Sequence, residues 1–242
     1  MAQAGRVVGA LACQRNSYLR SLQTVVLSCI ELPRAQRRSE TTTHVPETID
    51  PKPAQLWQIE CADSVLFPEG LPTNSQYSLI CLGGGQPSDH GTIIPLNQPD
   101  SAPIPVTAVQ RDGLRCVWYS PRPLVPGTLV HQEIDFRRRW DHMQQHTGQH
   151  LLSAILDRYH GLSTIGWGMG IKGEMTYVEL PRKPSDEELC QIQTKCNEVI
   201  RNNIQITVQT PQDVSADSLP DDYDKDNGVV RVVRIGNLDA NT

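Results

Sequence analysis

His146 and His150 stand four residues apart, followed by the apolar run Leu151-Leu152-Ser153-Ala154-Ile155-Leu156. On a helix this spacing puts two side chains on one face, about one turn apart, so both imidazoles can reach one metal ion. Zinc binds neutral imidazole well, and a catalytic zinc usually has three protein ligands plus a water. The residue after the first histidine decides one alternative. The zinc-protease pattern needs a Glu there as general base, and this chain has Thr147, so a peptidase of that type is disfavoured. A polar helix face without a metal gives the same spacing, and the pair alone leaves both readings open. His142 could join the stripe, but three ligands from one straight helix fit a tetrahedral site poorly. It reads better as a solvated or hydrogen-bonding histidine. His44, His90, His131 and His160 have no spacing that recommends them. Cys190 and Cys196, six apart, point in different directions on a helix and read as small packing residues.

Two further clusters bear on chemistry. Phe67-Pro68-Glu69-Gly70 precedes Gly83-Gly84-Gly85-Gln86-Pro87-Ser88-Asp89-His90-Gly91. Successive glycines allow close backbone approach. The run lacks the Lys-Ser/Thr of a P-loop and the spacing of a dinucleotide fingerprint, so a glycine-rich turn between strands competes with a phosphate site. Arg137-Arg138-Arg139 directly precedes the histidine segment; three cations suit a phosphate-bearing substrate or a solvated surface.

The elements that must position these residues are legible as pattern. Strands are expected within 18–30, 56–67, 91–94, 104–109, 115–119 and 128–131. Their Gly/Pro punctuation predicts a small antiparallel barrel or sheet over about 11–133. Residues 34–53 read as an exposed loop. From Arg138 to His160 the period is helical, with Gly161 placed to end the helix. Residues 176–180 read as a strand. Ser185 with Glu188 three residues later forms a capping box opening a second helix. Ile204, Ile206 and Val208 alternate as on a half-buried strand, 213–227 is acidic, and 229–235 is a last strand. The fold class is α+β: an N-terminal small antiparallel β-barrel domain, then a two-layer α+β domain.

The chain has 242 residues, a net charge of -5, and 38% apolar and 20% charged residues, as in a soluble globular protein. The acidic balance argues against wholesale nucleic-acid coating but allows a local basic patch. No apolar run approaches the roughly 20 residues of a membrane span. Seven cysteines, an odd number without a CxxC, read as reduced thiols, hence a cytoplasmic protein. Arg6, Arg15 and Arg20 ahead of the first acidic residue, Glu31, faintly resemble a transit segment with a poor apolar face.

Together these pieces resemble one family. The segment from Asp135 to Leu152 is similar to the zinc-helix signature of the alanyl-tRNA editing proteins, freestanding relatives of the editing domain of alanyl-tRNA synthetase. Cys13-Gln14-Arg15-Asn16-Ser17-Tyr18, Asp63 to Gly70 and Leu219-Pro220-Asp221-Asp222 also fit, so the resemblance covers residues 13–242.

The resemblance implies hydrolysis of the ester joining serine to tRNA-Ala, in translation quality control. An alanine pocket rejects serine weakly, by only about 10², because a hydrophobic site discriminates poorly against an added hydroxyl. It further implies His146 and His150 as zinc ligands, with the metal orienting substrate and lowering the pKa of a hydrolytic water. Thr147 matches the position that recognises the serine hydroxyl. Gln149 and Arg138 join it as substrate-binding candidates, and Gly83, Gly84, Gly85 and Gln86 form the glycine-rich motif. The partner is the acceptor end of tRNA-Ala, with no membrane and no DNA. The expected organisation is an extension over 1–12, a β-barrel domain over 13–133 and an editing domain over 134–242. Two departures go with it. Residues 71–83 split the family's continuous Phe-Pro-Glu-Gly-Gly-Gly-Gln-Pro. The family's remaining Cys and His ligands would follow Thr242, so the sequence reads as C-terminally truncated, with two of four ligands, weak zinc binding and impaired activity. The alternative is a non-catalytic tRNA-binding or interaction module. A full synthetase is disfavoured by length.

Overall fold

Short strands carrying β-branched and aromatic residues recur along the first half of the chain. The computed structural model describes residues 5–6, 9–33, 55–69, 86–97, 102–170, 175–209 and 232–241. The loops expected at 34–53 and 213–227, the segment 71–83, the glycines Gly83, Gly84 and Gly85, and Leu219 to Asp222 lie outside the described residues. Backbone contacts group the chain into two compact units, one extending to Arg139 and the other beginning at Trp140.

The first unit opens with a one-turn helix α1 (Ala12–Arg15) and seven strands: β1 (Ser21–Glu31), β2 (Trp57–Cys61), β3 (Gly91–Pro95), β4 (Ile104–Val106), β5 (Val109–Asp112), β6 (Arg115–Ser120) and β7 (Leu129–Ile134). They form one antiparallel sheet in the order β4-β3-β7-β1-β2-β6-β5. β1 is long because it serves two partners. Ser21 to Val25 pair with β7, and Val26 to Glu31 pair with β2, with a bulge between Val26 and Ser28. A bulge adds twist, and the sheet curls until β4 approaches β6. The hydrogen-bonded order leaves β4 and β5 as edges, so what forms is a curled sheet rather than a closed ring. Its core is Leu11, Val26, Ile59, Leu66, Ile93, Ile104, Val109, Trp118 and Val130, with Cys13, Cys61 and Cys116 among them. Gly91 is required by crowding: a Cβ there would stand 2.1 Å from the Glu133 carbonyl on β7.

The second unit contains all but the first turn of α2 (Phe136–His160), then β8 (Gly166–Gly168), β9 (Tyr177–Glu179), α3 (Asp186–Arg201), β10 (Ile206–Gln209), β11 (Val232–Ile235) and β12 (Asp239–Asn241). β8 pairs with β9, and β10-β11-β12 form an antiparallel sheet. The capping box at α3 forms as its sequence predicts: Glu188 N–H donates to Ser185 Oγ (3.2 Å), and Ser185 N–H donates to Glu188 Oε2 (2.7 Å). Leu151, Ile155, Leu156, Leu162, Ile192, Val199 and Ile235 make the core. Two expectations need correction. β10 forms, but Ile206 and Val208 are 48% and 54% exposed. Alternation sets which side chains share a face, not what covers it. Cys190 is exposed rather than packed, whereas Cys196 does pack against this core.

Candidate functional site

The site rests on α2. Asp135 starts the helix by accepting from Arg138 N–H through Oδ1 (3.1 Å), as an N-cap should. Gly161 ends it at φ 59° and donates to the Asp157 carbonyl (3.0 Å), the left-handed cap that glycine adopts without penalty. Between these ends, 25 residues carry the histidine stripe.

His146 and His150 lie side by side. Their ring centroids are 5.0 Å apart with 29° between planes. The Trp167 indole on β8 stacks on His146 from another element, centroids 5.4 Å apart and planes 23° from parallel. The glycines flanking Trp167 leave room for β9: a Cβ on Gly168 would be 2.6 Å from the Tyr177 ring, and one on Gly166 2.7 Å from the Glu179 carboxylate. His150 Nδ1 lies 3.2 Å from Asp239 Oδ2 on β12. An imidazole that donates Nδ1–H to a carboxylate presents Nε2 as its ligating nitrogen, the arrangement that orients metal-binding histidines. The donor chemistry therefore fits a zinc-type ion through two imidazoles. Among the described residues, no group of three or more metal-type side chains converges. His142, one turn earlier, is buried, which removes its solvated reading.

Two short sets of side-chain hydrogen bonds run beside the histidine pair. Gln149 Nε2 donates to Ser153 Oγ (3.0 Å), and Thr164 Oγ1 donates to the same oxygen (2.7 Å). Gln149 is buried, and its Oε1 has no hydrogen-bond partner among the described residues. Thr176 Oγ1 donates to Gln145 Oε1 (2.6 Å), and Gln145 donates to Asp141 (2.9 Å). Thr147 is half-buried on a neighbouring face. The helix thus brings together His146 and His150, with Thr147 and Gln149 on opposite sides of the pair. Trp167 and Asp239 complete the surroundings; sequence reasoning passed over both, and no local spacing marks either.

Arg138 belongs to the first unit. Its Nε donates to the Ser88 carbonyl (3.0 Å) in that same unit. Gln86, Ser88 and Asp89 are buried there. Burial raises the Glu69 carboxyl, while the Ser88 amide and Arg138 hold it down. Burial and then Arg138 lower His90, against Asp135 and Asp89. Arg139, 1% exposed, meets Asp89, 0% exposed, in an ion pair. Arg139 Nη1 donates to the Ser17 carbonyl (2.8 Å) and Nη2 to the Val65 carbonyl (2.8 Å), while Phe67 N–H donates to Asp89 Oδ2 (2.7 Å). This pair holds the segment after the glycine-rich motif to the start of α2.

No family model matches the chain. Among curated proteins it is 37% identical to the protein alaX of Saccharomyces cerevisiae, over 97% of this chain and 50% of that one. It is 34% identical to the alanyl-tRNA editing protein Aarsd1 of Bos taurus, over 96% of this chain and 46% of that one. The alanine–tRNA ligase of Pyrococcus furiosus matches 65% of this chain at 31% identity, but only 17% of its own length. The relatives named as editing proteins thus match almost the whole chain, and the ligase only part of it. The chain belongs to the alanyl-tRNA editing protein family, and it spans about half the length of the curated relatives it matches.

Proposed function

We propose that this protein edits mischarged tRNA by hydrolysing the ester between serine and tRNA-Ala, in translation quality control. The observation that carries this reading is the His146–His150 pair, set side by side on one helix face with Asp239 at His150 Nδ1. His146 and His150 would hold a zinc ion. Such an ion, when bound, polarises an ester carbonyl and lowers the pKa of a hydrolytic water. The chain's own residues do the rest. Asp239 fixes the His150 tautomer, and Trp167 stacks against the His146 ring. The Thr147 hydroxyl recognises the serine hydroxyl, and Gln149, on the other side of the histidine pair, is a further substrate-binding side chain. A site that hydrogen-bonds a hydroxyl can reject alanine strongly, because alanine leaves the buried polar group unpaired. The layout that goes with this reading is a curled β-sheet domain over 13–133 and an editing domain over 134–242. Gly83, Gly84, Gly85, Gln86 and Arg138 serve the acceptor end, and the protein works in the cytoplasm. No helix among the described residues is long and apolar enough to cross a membrane.

A second reading is a non-catalytic tRNA-binding module. It is favoured by one observation: among the described residues no group of three or more metal-type side chains is arranged to hold an ion. Deacylation of Ser-tRNA-Ala and zinc content by mass spectrometry separate the two. Editing predicts turnover that rises with added zinc, weakly held through two imidazoles, and that is lost in His146→Ala. Binding of tRNA with neither zinc nor turnover in the unsubstituted protein refutes it.

A further inference from the structure

Tyr18 is 63% exposed, yet the backbone beneath it is tightly held. Tyr18 N–H donates to Asn16 Oδ1 (3.1 Å) and Leu19 N–H to the Asn16 carbonyl (3.1 Å). The Ser17 carbonyl accepts from the buried Arg139 (2.8 Å), and the Arg20 carbonyl accepts from Ile134 N–H (3.1 Å). The Tyr18 ring therefore stands out from a rigid turn rather than a loose one. Two residues on, the exposed Arg20 places its guanidinium 4.2 Å over the Phe136 ring. Arg137, next in sequence, is also exposed. All of these residues lie in the first unit. Two acids stand nearby: Glu133, exposed and 3.8 Å from His131 Nε2, and Asp135, whose charged carboxylate caps α2.

An exposed aromatic ring on a fixed backbone, bordered by cations, is what an unpaired nucleic-acid base and its phosphates require. The ring offers a π-face to any base, and arginines pair with the backbone. In a chain of net charge -5 such a surface is local, not a consequence of composition. We infer that Tyr18, Arg20, Phe136 and Arg137 form a stacking platform for single-stranded RNA: Tyr18 stacks an unpaired base of the tRNA, and Arg20 and Arg137 hold the flanking phosphates. This rests on the reading of tRNA as substrate and adds where the first unit grips it.

The test uses the full chain, a fluorescein-labelled tRNA-Ala and a short labelled single-stranded RNA, with affinity read by anisotropy across a salt series. Loss of one base stack weakens binding by roughly five- to a hundred-fold, the outcome expected for Tyr18→Ala. Tyr18→Phe keeps the π-face and binds as the parent does. Arg137→Ala flattens the dependence of log affinity on log salt by about 0.7. Thermal melts check that each exposed substitution leaves folding intact. Tyr18→Ala binding both RNAs like the parent overturns the platform, as does a parent that binds neither. Deacylation on the same preparations keeps the two readings apart. Turnover with unaltered Tyr18→Ala binding sinks the platform alone. Weakened Tyr18→Ala binding without turnover in the parent upholds the platform and sinks the editing reading.

Discussion

Replacing Asp89 by Ala tests how the first unit is held together. Arg139 spends its guanidinium on four acceptor atoms: both Asp89 carboxylate oxygens and the Ser17 and Val65 carbonyls. Asp89 in turn accepts Phe67 N–H. Both side chains are essentially removed from water. Deleting the carboxylate leaves a buried cation facing two neutral carbonyls and orphans the Phe67 amide. Breaking such a pair costs about 3–5 kcal/mol, against a total of about 5–15 kcal/mol for a domain. With a urea slope of about 2 kcal/mol/M, the unfolding midpoint of the first unit should fall by about 2 M. The assay is urea titration followed by Trp fluorescence, since Trp118 sits in the same core. Asp89→Asn should lose less, because it keeps the shape and an acceptor for Phe67. The double variant Asp89→Leu/Arg139→Met should recover much of the loss, because it buries no charge. A midpoint shift below about 0.3 M for Asp89→Ala would refute the reasoning, since at that slope it equals under 1 kcal/mol.

Three further outcomes follow from other sites. A thiol reagent at pH 8 should label the exposed Cys190 in the folded protein, and Cys61 and Cys116 only on unfolding. Burial pushes the Cys61 thiol up to about 12 and Cys116 well above its ordinary value; peptide mapping reads the result. Ser185→Ala should cost about 1 kcal/mol in a thermal melt through the lost cap of α3. Glu188 is held down to about 2 by Arg182 and the Ser185 amide, so its contribution is present above the ordinary carboxylate range and disappears as pH falls through about 2. A stability difference between the parent and Glu188→Gln that has already collapsed at pH 4 contradicts that assignment. Gly148 is exposed in mid-helix, and a Cβ there would meet nothing within 4 Å. Gly148→Ala should therefore stabilise α2 by about 0.5–1 kcal/mol and, where the acceptor end lies against this face, slow deacylation; an unchanged or lowered melting temperature contradicts it.

What the sequence revealed about the fold divides by range. The helix from Arg138 to His160 and its stop at Gly161 are local: a 3.6-residue period and one left-handed glycine suffice. The capping box of α3 is legible for the same reason. The expected strand over 104–109 instead divides into β4 and β5, and that over 56–67 ends at Cys61. There the chain leaves the ladder for a turn in which Asp63 accepts from the Ala12 and Ser64 amides. Apolar content runs on through both breaks, so composition alone does not locate them. α1, β8 and β12 have four, three and three residues, too few to show a period.

The site divides along the same line. His146 and His150 are one turn apart on one helix, so their pairing follows from spacing, with Thr147 and Gln149 to either side of it. Asp239 reaches His150 across 89 positions of sequence, and Trp167 comes from a strand whose flanking glycines make sense only once Tyr177 and Glu179 lie against them. These distant groups are what turn two imidazoles into an oriented pair. An unsupported histidine pair on a helix samples several rotamers and both tautomers, whereas a carboxylate on one Nδ1 and an indole against the other ring select among them. The order of effect under substitution should reflect this. Loss of Asp239 or Trp167 disturbs how the pair is presented, and loss of either histidine removes a ligand outright.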